Sequence, residues 1–161
     1  PLRVTHNDTK SNNVLLDQKT GKALCVIDLD TVMPGSALYD YGDAVRFGAS
    51  NAPEDEPDVA RVSLNMDKVR AFTQGFVEET AGFLTHAELS RLPLGIKVIT
   101  AELAMRFLTD YLDGDRYFKV DYPEHNLVRA RAQMALLVDV ERQEDALYKM
   151  VNDDLKRFGG S

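Results

Sequence analysis

His6-Asn7-Asp8-Thr9-Lys10-Ser11-Asn12-Asn13 is the densest run of polar, chemically competent side chains in the sequence. It is followed at a distance by Ile27-Asp28-Leu29-Asp30. The spacing is His-x-Asp, then Asn five residues after the Asp, then a further Asp beyond two short apolar runs. This set suits phosphoryl transfer, which asks little covalent chemistry of a protein. A carboxylate must orient the acceptor hydroxyl and take its proton, and oxygen ligands must hold Mg²⁺ against nucleotide phosphates. Asp8 has the position of the base. Asn13 offers a side-chain carbonyl oxygen and Asp28 a hard carboxylate to one Mg²⁺. His6 is read as an anchor of the loop through hydrogen bonds. Asp30 has two readings, assisting the metal or capping the following turn, and the cap is favoured.

For residues 15 positions apart to converge, the chain between them must return to its starting end, as a hairpin does. Val14-Leu15-Leu16 and Ala23 to Ile27 are apolar runs flanking the polar turn Asp17 to Lys22, which contains Gly21. Continuous apolar runs of this kind predict strands covered on both faces. Cys25, the single cysteine, falls in the second run and is expected to be a small buried hydrophobe; one cysteine allows no intrachain disulfide. Met33-Pro34-Gly35 is expected to break the chain. A short helix over about 38–47 follows, with Asp40 and Asp43 three apart on one side. Both are expected to brace the catalytic loop rather than to act on substrate.

Beyond an expected exposed loop at 49–62 the pattern is helical. Asn65 is a candidate N-cap for Met66 to Phe83, and Thr85-His86-Ala87-Glu88 has the form of a capping box. His86 is expected at the surface. Leu94 to Leu112 is apolar around much of its circumference and is predicted to be the central, most buried helix, with Gly114 as its C-cap. The last helical segment runs from about Asn126 to Phe158, with a break near 141–145, and ends at Gly159-Gly160. His125-Asn126 are expected to cap it. Arg106 interrupts the most apolar helix, so a carboxylate or a ligand must meet it, because an unpaired buried charge is costly. Asp40 and Asp43 are its candidate structural partners. The element order predicts an α+β fold dominated by helix.

Three stretches carry a resemblance to a known family: Thr5-His6-Asn7-Asp8-Thr9-Lys10 through Asp17, Val26-Ile27-Asp28-Leu29-Asp30-Thr31-Val32-Met33-Pro34-Gly35, and Tyr39-Asp40-Tyr41-Gly42-Asp43. Together they resemble the aminoglycoside phosphotransferase/choline kinase superfamily of protein-kinase-like enzymes. Their detailed wording, with Thr100-Ala101-Glu102-Leu103 and Arg106 through Leu112, is similar to the N-acetylhexosamine 1-kinases. The resemblance implies ATP and Mg²⁺ as co-substrate and cofactor, and the anomeric hydroxyl of N-acetylglucosamine or N-acetylgalactosamine as acceptor. It implies Asp8 as base, Asn13 and Asp28 as metal ligands, and sugar contacts from Arg106 and Tyr117. For Arg106 ion pairing, and for Tyr117 packing, stand as equal alternatives.

No Gly-x-Gly-x-x-Gly or Walker A loop occurs among the ten glycines. The implied fold is therefore a single domain, the C-terminal lobe of such an enzyme, whose N-terminal nucleotide-binding lobe is expected to precede Pro1. Alone, this lobe is expected to be inactive. Aminoglycoside, choline or homoserine kinases of the same superfamily are the competing readings, as is a non-catalytic helical regulatory domain. The absence of Trp weighs weakly against choline.

The 161 residues carry 19 Lys and Arg against 26 Asp and Glu, a net charge of −7. Such acidity argues against nucleic acid or an anionic membrane as partner. With 44% hydrophobic and 28% charged residues the chain can bury a core. No apolar run approaches the ~18 residues of a membrane span. A cytoplasmic location is expected.

Overall fold

The computed structural model describes residues 1–158. Four short strands come first and lie in two separate antiparallel ribbons. β1 (Arg3–Thr5) pairs with β4 (Met33–Gly35), and β2 (Val14–Leu16) pairs with β3 (Ala23–Val26). Among the described residues six helices follow: α1 (Ala37–Gly48), α2 (Met66–Thr80), α3 (His86–Leu89), α4 (Leu92–Leu112), α5 (His125–Arg142) and α6 (Glu144–Phe158). The architecture is α+β and predominantly helical. Among the described residues no helix is long and apolar enough to cross a membrane.

The hairpin β2–β3 forms where the alternation of apolar run, polar turn and apolar run places it. Its turn is built by Asp17, whose Oδ1 accepts from the backbone N–H of Lys19 (3.0 Å) and Thr20 (2.7 Å), while Gly21 takes a left-handed φ of 68°. The expectation of strands covered on both faces is overturned. All of β3 is exposed, Cys25 included, so among the described residues no element covers it. Met33-Pro34-Gly35 does not break the chain. It is β4, and Pro34 stands opposite Val4 in a two-stranded ribbon, an arrangement that tolerates a residue with no N–H.

The N-termini of α2 and α3 follow the predicted chemistry. Asn65 caps α2 by accepting from Lys68 N at 3.1 Å, and Thr85 with Glu88 forms the reciprocal capping box of α3. Glu88 also reaches β1, where its two carboxylate oxygens take Arg3 Nε (2.9 Å) and Nη2 (2.7 Å). The break between α5 and α6 falls at Gln143. The predicted end of the last helix at Gly159-Gly160 lies outside the described residues.

The main core collects Tyr41, Val45, Val69, Val77, Leu92, Ile96, Leu136, Leu147 and Val151 from α1, α2, α4, α5 and α6. Helix α4 packs most closely against α1 and α5, yet it is not buried all round. Met105, Leu108 and Leu112 are exposed, so its apolar circumference overstated its burial. Where α1 crosses α4, Gly42 faces Gly95. A Cβ on Gly42 would fall on the backbone carbonyl of Gly95, and one on Gly95 would fall on Leu38 O. The stretch at 49–62 is a loop, exposed at Asn51, Pro53 and 57–61 as expected, but pinned at points along it. Ala49, Glu56 and Val62 are buried, and just beyond it Leu64 N donates to Asp139 Oδ2 at 2.8 Å.

Candidate active site

The loop after β1 is shaped by α1. Asp40, in the first turn of that helix, accepts His6 N through Oδ2 and Asn7 N through Oδ1, both at 2.8 Å. Thr9 Oγ1 donates to the Asp40 carbonyl at 2.6 Å. Asn7 holds a left-handed φ of 62°, a conformation Asn tolerates because its amide bonds nearby backbone, here the carbonyl of Thr31 at 3.0 Å. A side chain at Gly35 would collide with Thr5 Oγ1 and Asn7 Oδ1, so β4 must present bare backbone to the loop. His6 is likewise tied to the chain: Nε2 lies 3.0 Å from the carbonyl of Ile27 and so carries the proton, while its own carbonyl accepts from Thr31 Oγ1 at 2.6 Å.

Asp8 follows, half-buried. Its Oδ2 takes two donors, Asn13 Nδ2 at 3.0 Å and Lys10 Nζ at 2.9 Å. Asn13 Nδ2 also donates to the Asp8 carbonyl at 2.8 Å. The Asn13 amide nitrogen is thereby committed to Asp8, and neither Asp8 Oδ1 nor Asn13 Oδ1 takes a hydrogen bond from the described residues. Lys10 was missed in the sequence, where its place two residues after Asp8 was the available signal. Its pKa is raised, first by the bond to Asp8 and then, against the desolvation that lowers it, by the charges of Asp8, Asp28 and Asp43.

The hairpin returns Asp28 to this place. Ile27 N donates to the Asn13 carbonyl at 2.9 Å, so the residue before Asp28 is bonded to Asn13. Asp28 sits at φ 61° and ψ 60°, left-handed and exposed, and its carboxylate caps nothing. Asp30 lies in the short 3-10 turn Leu29–Thr31 that follows and makes no capping bond, contrary to the favoured expectation; the N-cap position of that turn belongs to Asp28. Among the described residues no three His, Cys, Asp or Glu side chains converge as a metal cage. The donors present here are instead the Asn13 side-chain oxygen and the Asp28 carboxylate. Such a sparse, hard oxygen set fits Mg²⁺, which keeps waters and phosphate oxygens in its other positions.

A cavity of about 460 Å³ opens beside Asp8. Asn7, Asp8 and Lys10 line it from the loop, Asp43 and Arg46 from α1, and Arg106, Tyr117 and Phe118 from α4 and the segment after it. The structure thus brings Asp8, Asp43, Arg106 and Tyr117 around one space, with Asn13 bonded to Asp8. Asn13 and Asp28 do not line the cavity.

Arg106 is not a buried charge. It is exposed, its guanidinium lies over the rings of Tyr117 (5.5 Å) and Phe118 (5.3 Å), and Nη2 is 3.4 Å from Tyr117 Oη. Its nearest carboxylate is Glu102, at 4.0 Å, rather than Asp40 or Asp43. The α4 face that carries it looks into the cavity, so no buried partner is needed. The buried arginine is Arg46, with 5% exposure. Its Nε and Nη2 lie 3.0 and 2.9 Å from Asp43 Oδ1, and Nη1 reaches Glu54 at 2.7 Å and Gln133 at 3.1 Å. Asp40 therefore braces the loop while Asp43 neutralises Arg46, a split of roles that the i, i+3 spacing of Asp43 and Arg46 could have revealed.

His125 and Asn126 do not cap α5; Glu124 holds the N-cap position, without a side-chain bond. Both are buried. His125 Nδ1 accepts from Asp121 N at 3.1 Å, so Nε2 carries the proton toward Asp55 Oδ2 at 3.2 Å. Asn126 Nδ2 donates to Asp110 Oδ2 and Asp115 Oδ1, each at 2.9 Å.

A helical body whose Asp8 loop is closed by a short hairpin is consistent with the C-terminal lobe of a protein-kinase-like fold. Residues 1–72 match the model of the phosphotransferase enzyme family. The matched span contains Asp8, Asn13, Asp28, Asp40 and Asp43, and it supports a phosphotransferase of the kinase-like superfamily. It stops short of Arg106 and Tyr117.

Proposed function

We propose that the polypeptide is an ATP- and Mg²⁺-dependent kinase of a small-molecule hydroxyl, with the anomeric 1-OH of N-acetylglucosamine or N-acetylgalactosamine as acceptor. The observation that carries the reading is Asp8 on the wall of a cavity that Arg106 and Tyr117 also line, with only its Oδ2 taking hydrogen bonds among the described residues. In this role Asp8 accepts the hydroxyl proton while Asn13 and Lys10 fix its other oxygen. Asn13 Oδ1 and Asp28 would hold Mg²⁺, which when bound neutralises phosphate charge. At about 460 Å³ the cavity lies within the range of about 300–1,000 Å³ usual for small-molecule sites. Arg106 and Tyr117 offer donors and an aromatic face to a neutral polyhydroxylated ring. A guanidinium on the wall is poorly placed to receive a cationic aminoglycoside or choline.

The test is ATP-dependent phosphorylation of both hexosamines by the full-length gene product, with the phosphate located by ³¹P and ¹H NMR. A sugar 1-phosphate that disappears in Asp8→Asn supports the reading. Turnover of choline or an aminoglycoside, with neither hexosamine phosphorylated, overturns the acceptor.

A further inference from the structure

We infer that Asp110, assisted by Asn126, is a positioning residue for the acceptor, holding residues 114–118 so that Tyr117 and Arg106 together form one wall of the cavity. The inference rests on the reading of that cavity as the acceptor site.

Backbone bonds from Gly114 N to Tyr111 O (3.2 Å) and from Asp115 N to Asp110 O (2.8 Å) tie down the start of this segment, and little else packs on the rest. Tyr117 is 74% exposed and Arg116 is exposed; only Phe118 packs inward, 4.6 Å from Phe107. The backbone is contorted, with φ 86° at Gly114 and 55° at Asp115. What gathers it is one carboxylate. Asp110 Oδ1 accepts the backbone N–H of Arg116 (2.9 Å) and Tyr117 (2.8 Å), and Oδ2 accepts that of Phe118 (2.9 Å) and Asn126 Nδ2 (2.9 Å). Asn126, fully buried, ties the same knot to Asp115. A carboxylate removed from water must be given donors, and three of these are successive amides of the segment. The shape of the segment is therefore set by a charge more than by packing. Desolvation pushes the Asp110 carboxyl up, but the bonds from Phe118, Tyr117, Arg116 and Asn126 outweigh it and leave the pKa below the ordinary aspartate value.

Asp110 also stands one helical turn from Arg106, at i, i+4 on the same face of α4. The anchor of the Tyr117 segment and the guanidinium that Tyr117 covers therefore share one rigid support. Loosening the carboxylate would separate the ring from the guanidinium without touching Asp8, Asn13 or Asp28. Binding of the acceptor should suffer while the nucleotide side does not.

The experiment uses Asp110→Asn in the full-length polypeptide, with steady-state kinetics in both substrates and hydrogen exchange of the backbone. The substitution points an NH₂ group at amides that need an acceptor. The expected result is an acceptor KM raised about 10-fold or more, a KM for ATP within about twofold, and faster exchange at residues 116–118. Asp115→Gly serves if Asp110→Asn does not fold. It removes only the Asn126 bond at a position whose positive φ glycine adopts freely, and an acceptor KM raised about threefold is expected. Unchanged acceptor KM and unchanged exchange in an active variant overturn the inference alone, as does a KM for ATP that rises as much as that for the acceptor. A wild-type enzyme that phosphorylates neither hexosamine overturns the acceptor reading and this inference with it.

Discussion

Asp40 Oδ1 takes the backbone N–H of Asn7 at 2.8 Å from 33 residues along the chain. With the bond from His6 N to Oδ2, it makes one carboxylate at the start of α1 the fixed point for the loop that ends in Asp8. Asp40→Ala leaves two half-buried amides without partners and frees the left-handed turn at Asn7. Displacement of a catalytic group by about 1 Å can cost about 100-fold in rate. A fall in kcat of that order, with helical circular dichroism retained, is the expected outcome in the full-length enzyme.

Arg46 is the charge whose loss the fold should feel most. Asp43, 7% exposed, and Gln133, 3% exposed, both depend on it. Removing one member of a buried ion pair strands the other, at a typical cost of about 3–5 kcal/mol. Arg46→Met should lower unfolding stability by about 3 kcal/mol in urea titrations. The double variant Arg46→Met with Asp43→Asn should recover part of that loss, because the buried Asp43 charge is then gone and the only carboxylate that loses its partner is the partly exposed Glu54.

The facing glycines predict a second large effect by a different route. Gly95→Ala drives a methyl group into Leu38 O, and neither helix can recede because both are anchored in the core. Overpacking typically costs about 1–3 kcal/mol, and with backbone as the obstacle about 3 kcal/mol is expected. Thermal denaturation should show it. Gly75→Ala, with open space around its Cβ position, should be neutral or stabilising.

Glu88 supplies a pH dependence. Chiefly through its bond to Arg3, its carboxyl is held at about 2, against an ordinary 4.5. A depressed folded-state pKa means the unfolded chain binds the proton more readily, so the stabilisation is fully present above pH 4.5 and is lost as pH falls from there toward about 2. The difference in melting temperature between wild type and Glu88→Gln should thus be constant at neutral pH and shrink below pH 4.5. A difference that grows on acidification would contradict the Arg3–Glu88 contact as its source.

The parts of the fold legible in the sequence were those written in local chemistry. The Asn65 cap, the Thr85–Glu88 box and the Asp17–Gly21 turn each depend on side chains within a few residues of the backbone they bond. The convergence of Asp28 on Asn13 was legible for the same reason, since a hairpin is itself a local object. Burial was read less well. Apolar runs at 14–16 and 23–26 have the composition of covered strands, but composition does not say whether another element arrives to cover them. Arg106 was expected to be buried and Arg46 drew no expectation, because the surroundings of both are set by which helix faces which. The bonds of Asp110 and Asn126 left no mark in the sequence, for Asp110 lies inside a helix, where its side chain could have pointed to water.

The contact between Gly42 and Gly95 has a consequence for how the pocket could be reshaped. α1 carries the bracket of the loop and α4 carries Arg106, and at their crossing there is no side chain whose size could be varied. The separation of the two walls is in effect a constant of the scaffold. Of the cavity's wall, the 114–118 segment, gathered by the Asp110 carboxylate, is the part that could be rewritten without moving either helix. A library built to redirect this pocket would place its diversity there and leave the helix crossing untouched.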